Sequence, residues 1–254
     1  MNQGLAAYLI KTDSHSRASD MKFKDLKTLV RQGEGTTLEF KLKANHPEKI
    51  IREIVAFANT KGGILLVGVG DDKTIPGLKF VDEEEYILVR AIERNCFPPV
   101  KYDMERVAVT DERDVLVFTI PKSLEKPHYV QLDNEENGKA YVRVQDRSVQ
   151  ATKEMKQILR RENEEGIQFR FGDKEKILME YLSVNQNITI DKFIEIAKIP
   201  AWLASRTLVL LVLSNVLKIQ PDEMMDYFMA KGWRVKYLNI DIEYREQHGL
   251  LELD

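Results

Sequence analysis

Polar and apolar side chains alternate strictly over residues 37–43, which is the period of a β-strand. The apolar set comprises Leu38, Phe40 and Leu42, and the polar set comprises Thr37, Glu39, Lys41 and Lys43. This alternation predicts a strand with one buried face and one charged, exposed face.

The pattern then changes to the helical period. Residues 47–59 begin with a proline, which suits a first helical turn, and carry apolar side chains along one face. The segment Lys61-Gly62-Gly63 predicts the end of this helix, because a cation followed by glycine favours a helix C-terminus. The uninterrupted apolar run 64–69 follows and predicts a central strand buried on both faces.

The remaining elements of the first part of the chain follow from the same periodicities. Helices are expected at about 22–31, 82–95 and 151–161, and Thr152 is a helix-starting signal for the last. Two strand pairs are expected, 107–109 with 115–120 around the turn DERD, and 129–131 with 140–144 around the loop DNEENG.

The element order changes after Asp173. The expected elements are a helix at 174–182, a short strand at 188–190, a helix at 191–197, a turn at Pro200 and a long apolar helix at 201–217. This is the order of a winged helix-turn-helix. The predicted fold class is therefore α+β, with a mixed-sheet domain followed by a small winged helix-turn-helix-type domain. The expected boundaries are an N-terminal arm 1–20, a first domain 21–162, a second domain 173–230 and a tail 231–254 that adds a strand.

Composition restricts the chemistry of the chain. The net charge is -3 and the pI is about 5.9, so binding of nucleic acid requires a local basic patch. A single cysteine, Cys96, excludes an internal disulfide and argues against a thiolate zinc site, and we expect it to be a small buried apolar residue. The first ten residues lack the basic segment of a signal peptide, and polar residues interrupt the apolar stretch 199–219. We therefore expect a cytoplasmic protein without a membrane partner.

Three carboxylates form the first candidate site. Glu34 and Glu39 lie on a loop and a strand, and Asp71 follows the adjacent central strand, so the three side chains could converge on Mg²⁺ or Mn²⁺. Lys41 shares a strand face with Glu39 and could steady a phosphate. The alternative is that these are solvated acids. The segment Gly68-Val69-Gly70 lacks both the third glycine of a dinucleotide fingerprint and the ending of a Walker loop, so it is not a nucleotide site.

Basic residues form the second candidate site. Contacts with phosphates are expected from Lys41, Lys43, Arg52, Arg143 and Arg147, with Tyr129 or Tyr141 as a stacking surface. A solvated face is the alternative. His128 is expected to have a structural hydrogen-bonding role rather than an acid–base one.

The long helix of the second domain is a poor reader of DNA. It offers only Ser205, Arg206 and Asn215 as polar contacts, so dimerisation or packing is its expected role.

Five segments in order carry a family resemblance: EGTTLEFK, AFANTKGGILLVGVGDD, IPGL, KPHYV and YVRVQDRS. Together they resemble the AlbA-like domain of the Schlafen family over roughly residues 20–160. Many bacterial proteins of this type join the domain to a helix-turn-helix and are described as predicted transcriptional regulators. The resemblance therefore implies binding of DNA or RNA.

Animal Schlafens include endoribonucleases, and their acidic triad corresponds to Glu34, Glu39 and Asp71 here, with Lys41 as the matching lysine. This chain departs from them in having one AlbA-like lobe and a single cysteine, which cannot supply the zinc site that those nucleases contain. A homodimer would restore a two-lobed clamp.

Three hypotheses follow from the sequence. The first is a nucleic-acid-binding protein that acts as a DNA-binding transcriptional regulator, with no certain cofactor. The second is a Mg²⁺- or Mn²⁺-dependent endoribonuclease, and the third is a dimeric assembly module that does not bind nucleic acid.

Overall fold

The computed structural model describes residues 21–133, 135–167 and 169–231. They form two compact units that divide between Ala151 and Thr152. The expected N-terminal arm lies outside the described residues, as does all but the first residue of the tail with its expected strand.

Unit 1 contains three helices and eight strands among its described residues. The helices are α1 (Phe23–Gln32), α2 (Pro47–Asn59) and α3 (Val81–Asn95). The strands are β1 (Leu38–Lys41), β2 (Gly63–Val67), β3 (Cys96–Phe97), β4 (Asp103–Thr110), β5 (Arg113–Ile120), β6 (Tyr129–Val130), β7 (Tyr141–Val144) and β8 (Arg147–Gln150).

The main sheet of unit 1 has the order β1-β2-β5-β4. β1 runs parallel to β2, whereas β2–β5 and β5–β4 are antiparallel, so the sheet is mixed as predicted. β2 is a central strand with both faces buried: Leu66 packs with α1, and Leu65 and Val67 pack with α2. The helix predicted at 47–59 has those bounds in the structure.

The prediction for β1 is wrong on one face. Leu38 and Phe40 pack with Leu26 of α1, as the alternation predicted. On the opposite face Glu39 is buried, whereas Lys41 is partly exposed and Thr37 and Lys43 are exposed. The strand ends at Lys41, and Leu42 beyond it is 52% exposed. Alternation indicated which side chains share a face, but it did not show that a second layer covers the polar one.

The second predicted strand pairing is also corrected. β6 pairs with β3 and meets Lys139 only through one bridge at Val130. β7 pairs with β8 instead, across a tight turn in which Gln145 has a φ of 58°. A local hairpin partner therefore takes the place of the more distant strand. Cys96 is buried as expected, and burial raises the pKa of its thiol.

Unit 2 contains four helices and a hairpin among its described residues. They are α4 (Lys153–Arg161), α5 (Asp173–Val184), α6 (Ile190–Ala197), α7 (Ala201–Leu213), β9 (Leu217–Gln220) and β10 (Tyr227–Ala230). Thr152 caps α4 by accepting a hydrogen bond from the Met155 amide at 3.1 Å, so the helix-starting signal is confirmed.

The last two helices of unit 2 meet sharply. α6 and α7 lie at 114° across the short link 198–200, and β9 and β10 form an antiparallel hairpin. The strand expected at 188–190 is only a bridge between Ile188 and Phe228, since α6 already begins at Ile190.

No helix in the described ranges is by itself long and apolar enough to cross a membrane. The bent pair α6 and α7 passes by length and composition when taken together.

Candidate nucleic-acid interface and carboxylate cluster

Arg143 lies at the centre of a buried ionic cluster in unit 1, and its side chain has no exposed surface. Its Nη2 donates to Oε2 of Glu39 at 2.9 Å and to the carbonyl of Gly35 at 2.7 Å. Its Nη1 donates to Glu53 and, at 3.3 Å, to the hydroxyl of Ser148. The cluster therefore joins β1, α2, β7 and β8.

The end of α2 positions Arg143. The hydroxyl of Thr60 accepts a hydrogen bond from the Arg143 amide at 3.0 Å, and the guanidinium lies 4.9 Å from the centre of the Phe57 ring. Asn59 donates to the carbonyls of His128 and Tyr141, both at 2.9 Å, and accepts from the His128 amide at 2.7 Å. The segment AFANT therefore ties α2 to β6 and β7 besides ending a helix.

Glu39 is neutralised from two sides. One carboxylate oxygen binds Arg143, and the other accepts from the amine of Lys41. Glu53 supplies the second negative charge of the cluster, so two carboxylates balance two cations. Burial raises the pKa of Glu53, and the negative charge of Glu39 raises it further.

Sequence reasoning did not identify Glu53 as part of the site. The signal was present, because Glu53 is an acid directly beside Ile54 within the apolar part of α2. An acid at such a position calls for a partner. The partner, Arg143, is ninety residues away along the chain, so the pairing could not be inferred from spacing.

Glu34 and Asp71 lie at the rim of the cluster. Glu34 accepts a hydrogen bond from the Phe40 amide at 2.9 Å. Burial raises the pKa of Glu34, and the charges of Glu39 and Asp71 add to this effect while Lys41 opposes it. The neighbouring Asp72 has a separate role, since it accepts from the amide and hydroxyl of Thr74 in the turn.

The three predicted metal ligands are not assembled as a ligand set. Within the described residues, no three His, Cys, Asp or Glu side chains are placed to hold a metal ion. Both oxygens of Glu39 are already engaged by Lys41 and Arg143. This arrangement does not fit a divalent cation.

The predicted phosphate-binding residues separate into two groups. Lys43 and Arg147 are exposed, Lys41 is partly exposed, and Arg52 lies over Tyr141 with its guanidinium 5.6 Å from the ring centre. The prediction for Arg143 is corrected, because its guanidinium is buried against Glu39 and Glu53 and cannot reach a phosphate.

His128 is buried and hydrogen-bonded, which agrees with its expected structural role. Its Nδ1 lies 2.8 Å from the carbonyl of Pro98, and its Nε2 lies 2.7 Å from the hydroxyl of Ser123. Burial lowers the pKa of His128 and so favours the neutral ring.

The three polar residues that are candidates for contact with nucleic acid in unit 2 also differ in exposure. Ser205 is buried and donates to Glu154 of α4 at 2.6 Å, whereas Arg206 and Asn215 are exposed. Ser205 and Arg206 both lie in α7, and of these two side chains only Arg206 is exposed enough to contact a nucleic acid. Asn215 lies beyond the end of the helix.

Comparison with solved structures finds distant similarity. The N-terminal domain of a RecG-related protein from Nitrosomonas europaea is 21% identical, with a TM-score of 0.35, covering 46% of this chain and 87% of its own. The DIP2311 protein from Corynebacterium diphtheriae is 19% identical, with a TM-score of 0.35, covering 71% of this chain and 34% of its own. No curated protein matches the chain.

Comparison with protein families is more specific. The model of the family described as "Schlafen, AlbA_2" matches residues 34–152, a span that runs from Glu34 to one residue past the boundary of unit 1. It includes the segments that carry the resemblance and every residue of the ionic cluster. Over residues 34–152, which are a little less than half of the 254-residue chain, the protein is therefore similar to the Schlafen AlbA-like family.

Proposed function

We propose that this protein binds nucleic acid through exposed cations of its AlbA-like domain and acts as a DNA-binding transcriptional regulator. The family supports the general part of this proposal. The observation that carries it is the neutralisation of Glu39 by Lys41 and Arg143. A free carboxylate at this place would repel a phosphate, whereas a balanced cluster leaves neighbouring exposed cations effective.

The contacts are assigned to the exposed Lys43 and Arg147 and to the partly exposed Lys41 and Arg52. Lys43 follows the end of β1, and Arg147 begins β8, whose next residue, Ser148, is bonded to Arg143. Arg143 has a positioning role, since it holds β1, α2 and β8 together. Binding of this kind depends on charge and falls steeply with salt.

The test is titration of labelled duplex DNA and of RNA at low salt, followed by fluorescence anisotropy. Lys43→Gln and Arg147→Gln should each weaken binding several-fold and reduce the salt slope for DNA by about 0.9. Lys101→Gln, which removes another exposed cation of unit 1, is the matched control and should leave affinity unchanged. Absence of binding to both nucleic acids at low salt would overturn the proposal and favour an assembly module.

A homodimer is part of this proposal, because a twofold dimer matches the symmetry of a palindromic operator. Light scattering on the purified chain should give twice the mass of 29.4 kDa. A monomer that still binds DNA would remove the dimer from the proposal and leave the binding.

RNA cleavage is the second candidate function, and one observation favours it. Glu39 and Asp71 both contribute to the raised pKa of Glu34, so the three carboxylates lie within electrostatic reach of one another. A divalent cation could bind here only if Glu39 gave up its contact with Lys41. In that case, incubation with transfer RNA and Mn²⁺ should give cleavage that Glu39→Gln and Glu34→Gln abolish. Intact RNA with the unmodified protein would overturn this candidate while leaving nucleic-acid binding unaffected.

A further inference from the structure

A groove in unit 2 combines an aromatic surface with three cations. It has a volume of about 340 Å³ and lies against α7, with Phe169, Arg170, Lys174, Trp202, Arg206 and Leu210 among its lining residues. We call it the tryptophan groove. Trp202 is 63% exposed, which is unusual for the largest apolar side chain of a folded unit.

Glu175, the one acid among the described residues that line the tryptophan groove, already has partners. Glu175 is buried, with one oxygen accepting from the Gly172 amide and the other paired with Lys174, both at 3.0 Å. Arg170 and Arg206 are exposed, and neither has an ion-pair partner among the described residues. Among the described residues, no acid therefore pairs with either of the two guanidinium groups that line the groove.

Trp202 and Arg206 lie one helical turn apart on the outer face of α7, so that their side chains are neighbours. The next polar side chains of the helix, Ser205 and Thr207, are buried. Reading base edges in a duplex groove needs several donors and acceptors in a row. This face offers one indole and one guanidinium, which suit stacking on an unpaired base and contact with the adjacent phosphate.

We propose that the tryptophan groove binds a single-stranded segment of nucleic acid, with a base stacked on Trp202 and a phosphate held between Arg170 and Arg206. Every base has a flat face, so such a site binds without reading sequence. This site belongs to unit 2 and goes beyond the proposed function, which is assigned to cations of unit 1.

Fluorescence quenching tests the proposal directly. The chain has two tryptophans, and Trp233→Phe leaves Trp202 as the sole emitter. A thymidylate oligomer of about 12 nucleotides should quench Trp202 saturably at low salt, because a stacked base quenches indole. Arg170→Gln and Arg206→Gln should each weaken binding several-fold and reduce the salt slope by about 0.7.

A labelled oligomer measures variants that lack Trp202. Trp202→Ala should weaken binding about tenfold, and Trp202→Phe should restore most of the affinity, because phenylalanine still stacks. Lys176→Gln removes an exposed cation of α5 that does not line the groove, and it should have no effect. Circular dichroism confirms that each variant is folded.

Four results would overturn the proposal: no quenching of Trp202 by the oligomer, equal quenching by thymidine monophosphate at the same concentration, stronger quenching of Trp202 by the matching duplex, or an equal loss in Lys176→Gln. The unit 1 variants Lys43→Gln and Arg147→Gln test whether the tryptophan groove binds independently of unit 1. If the tryptophan groove binds the oligomer, these two variants should leave the quenching of Trp202 unchanged, even where unit 1 itself binds no nucleic acid.

Discussion

Arg143 of β7 and Glu39 of β1 form a buried ion pair, with Nη2 and Oε2 2.9 Å apart and no exposed surface on the arginine side chain. Three further contacts hold the guanidinium, to Glu53, to the hydroxyl of Ser148 and to the carbonyl of Gly35. The pair joins the edge strand of the main sheet to the separate β7–β8 hairpin. It is therefore a structural junction as well as part of the candidate site.

Removal of Arg143 is expected to destabilise unit 1 strongly. Arg143→Met leaves Glu39 and Glu53 buried with less compensation, and the free energy of unfolding should fall by about 3–5 kcal/mol. Both tryptophans lie in unit 2, so hydrogen exchange of the β2 and β5 amides is the suitable measurement for unit 1.

Lys43→Met is the matched control for this variant, since it replaces an exposed cation by the same residue. It should change the free energy of unfolding by less than about 0.5 kcal/mol. A loss below about 1 kcal/mol in Arg143→Met would contradict the structural role of the pair.

Asn59 is expected to be as sensitive as Arg143. Its amide group donates to two buried carbonyls, and a carboxylate cannot donate. Asn59→Asp should therefore cost about 3 kcal/mol or more of unfolding free energy, because two acceptors lose their partner and a charge is buried. Asn45→Asp, at an exposed position, should cost almost nothing in the same exchange measurement.

The sequence was sufficient for elements whose signals are local. The helix 47–59 and the central strand β2 follow from periodicity, a proline and a glycine pair, and each acts within a few residues. The β4–β5 hairpin is confirmed for the same reason. The sheet order and the layer of α2 and β7 that covers Glu39 depend on contacts between distant residues, which periodicity does not encode.

The candidate site shows the same limit at the level of single residues. The residue pattern indicated Glu34, Glu39, Lys41 and Asp71, and the family resemblance matched them, but the state of Glu39 depended on Arg143. A basic residue on a strand was interpreted as a phosphate contact because its partners were far away in sequence. Burial decided the role of Arg143, and burial is a property of the folded chain.

Gly63 is expected to tolerate no side chain. A Cβ at this position would lie 2.4 Å from a ring carbon of Phe57, which is fully buried and packs below Arg143. Gly63→Ala should therefore shift the ring and cost about 1–3 kcal/mol of stability. Gly35→Ala has no heavy atom within 4 Å of the new Cβ, so it is the matched control and should stay within about 0.5 kcal/mol in urea unfolding.

Asp226 is expected to make unit 2 more stable in mild acid. This carboxyl is buried beside Thr152, whose hydroxyl donates to Oδ2, and Glu154 lies near enough to repel it. Burial raises the pKa of Asp226 from 3.8 to about 6. Between these two pKa values the folded state binds more protons than the unfolded state, so stability falls as pH rises through this window.

Asp226→Asn mimics the protonated carboxyl and should remove this dependence. At about pH 8 the variant should be more stable than the parent by about 1–3 kcal/mol, and at about pH 4 the two should agree. Urea unfolding followed by tryptophan fluorescence reports on unit 2, which holds both tryptophans. Asp191→Asn, at an exposed position of α6, should track the parent at both pH values. If stability changes with pH in the same way in Asp226→Asn and in the parent, the prediction is wrong. The pH dependence would then come from a group other than the Asp226 carboxyl.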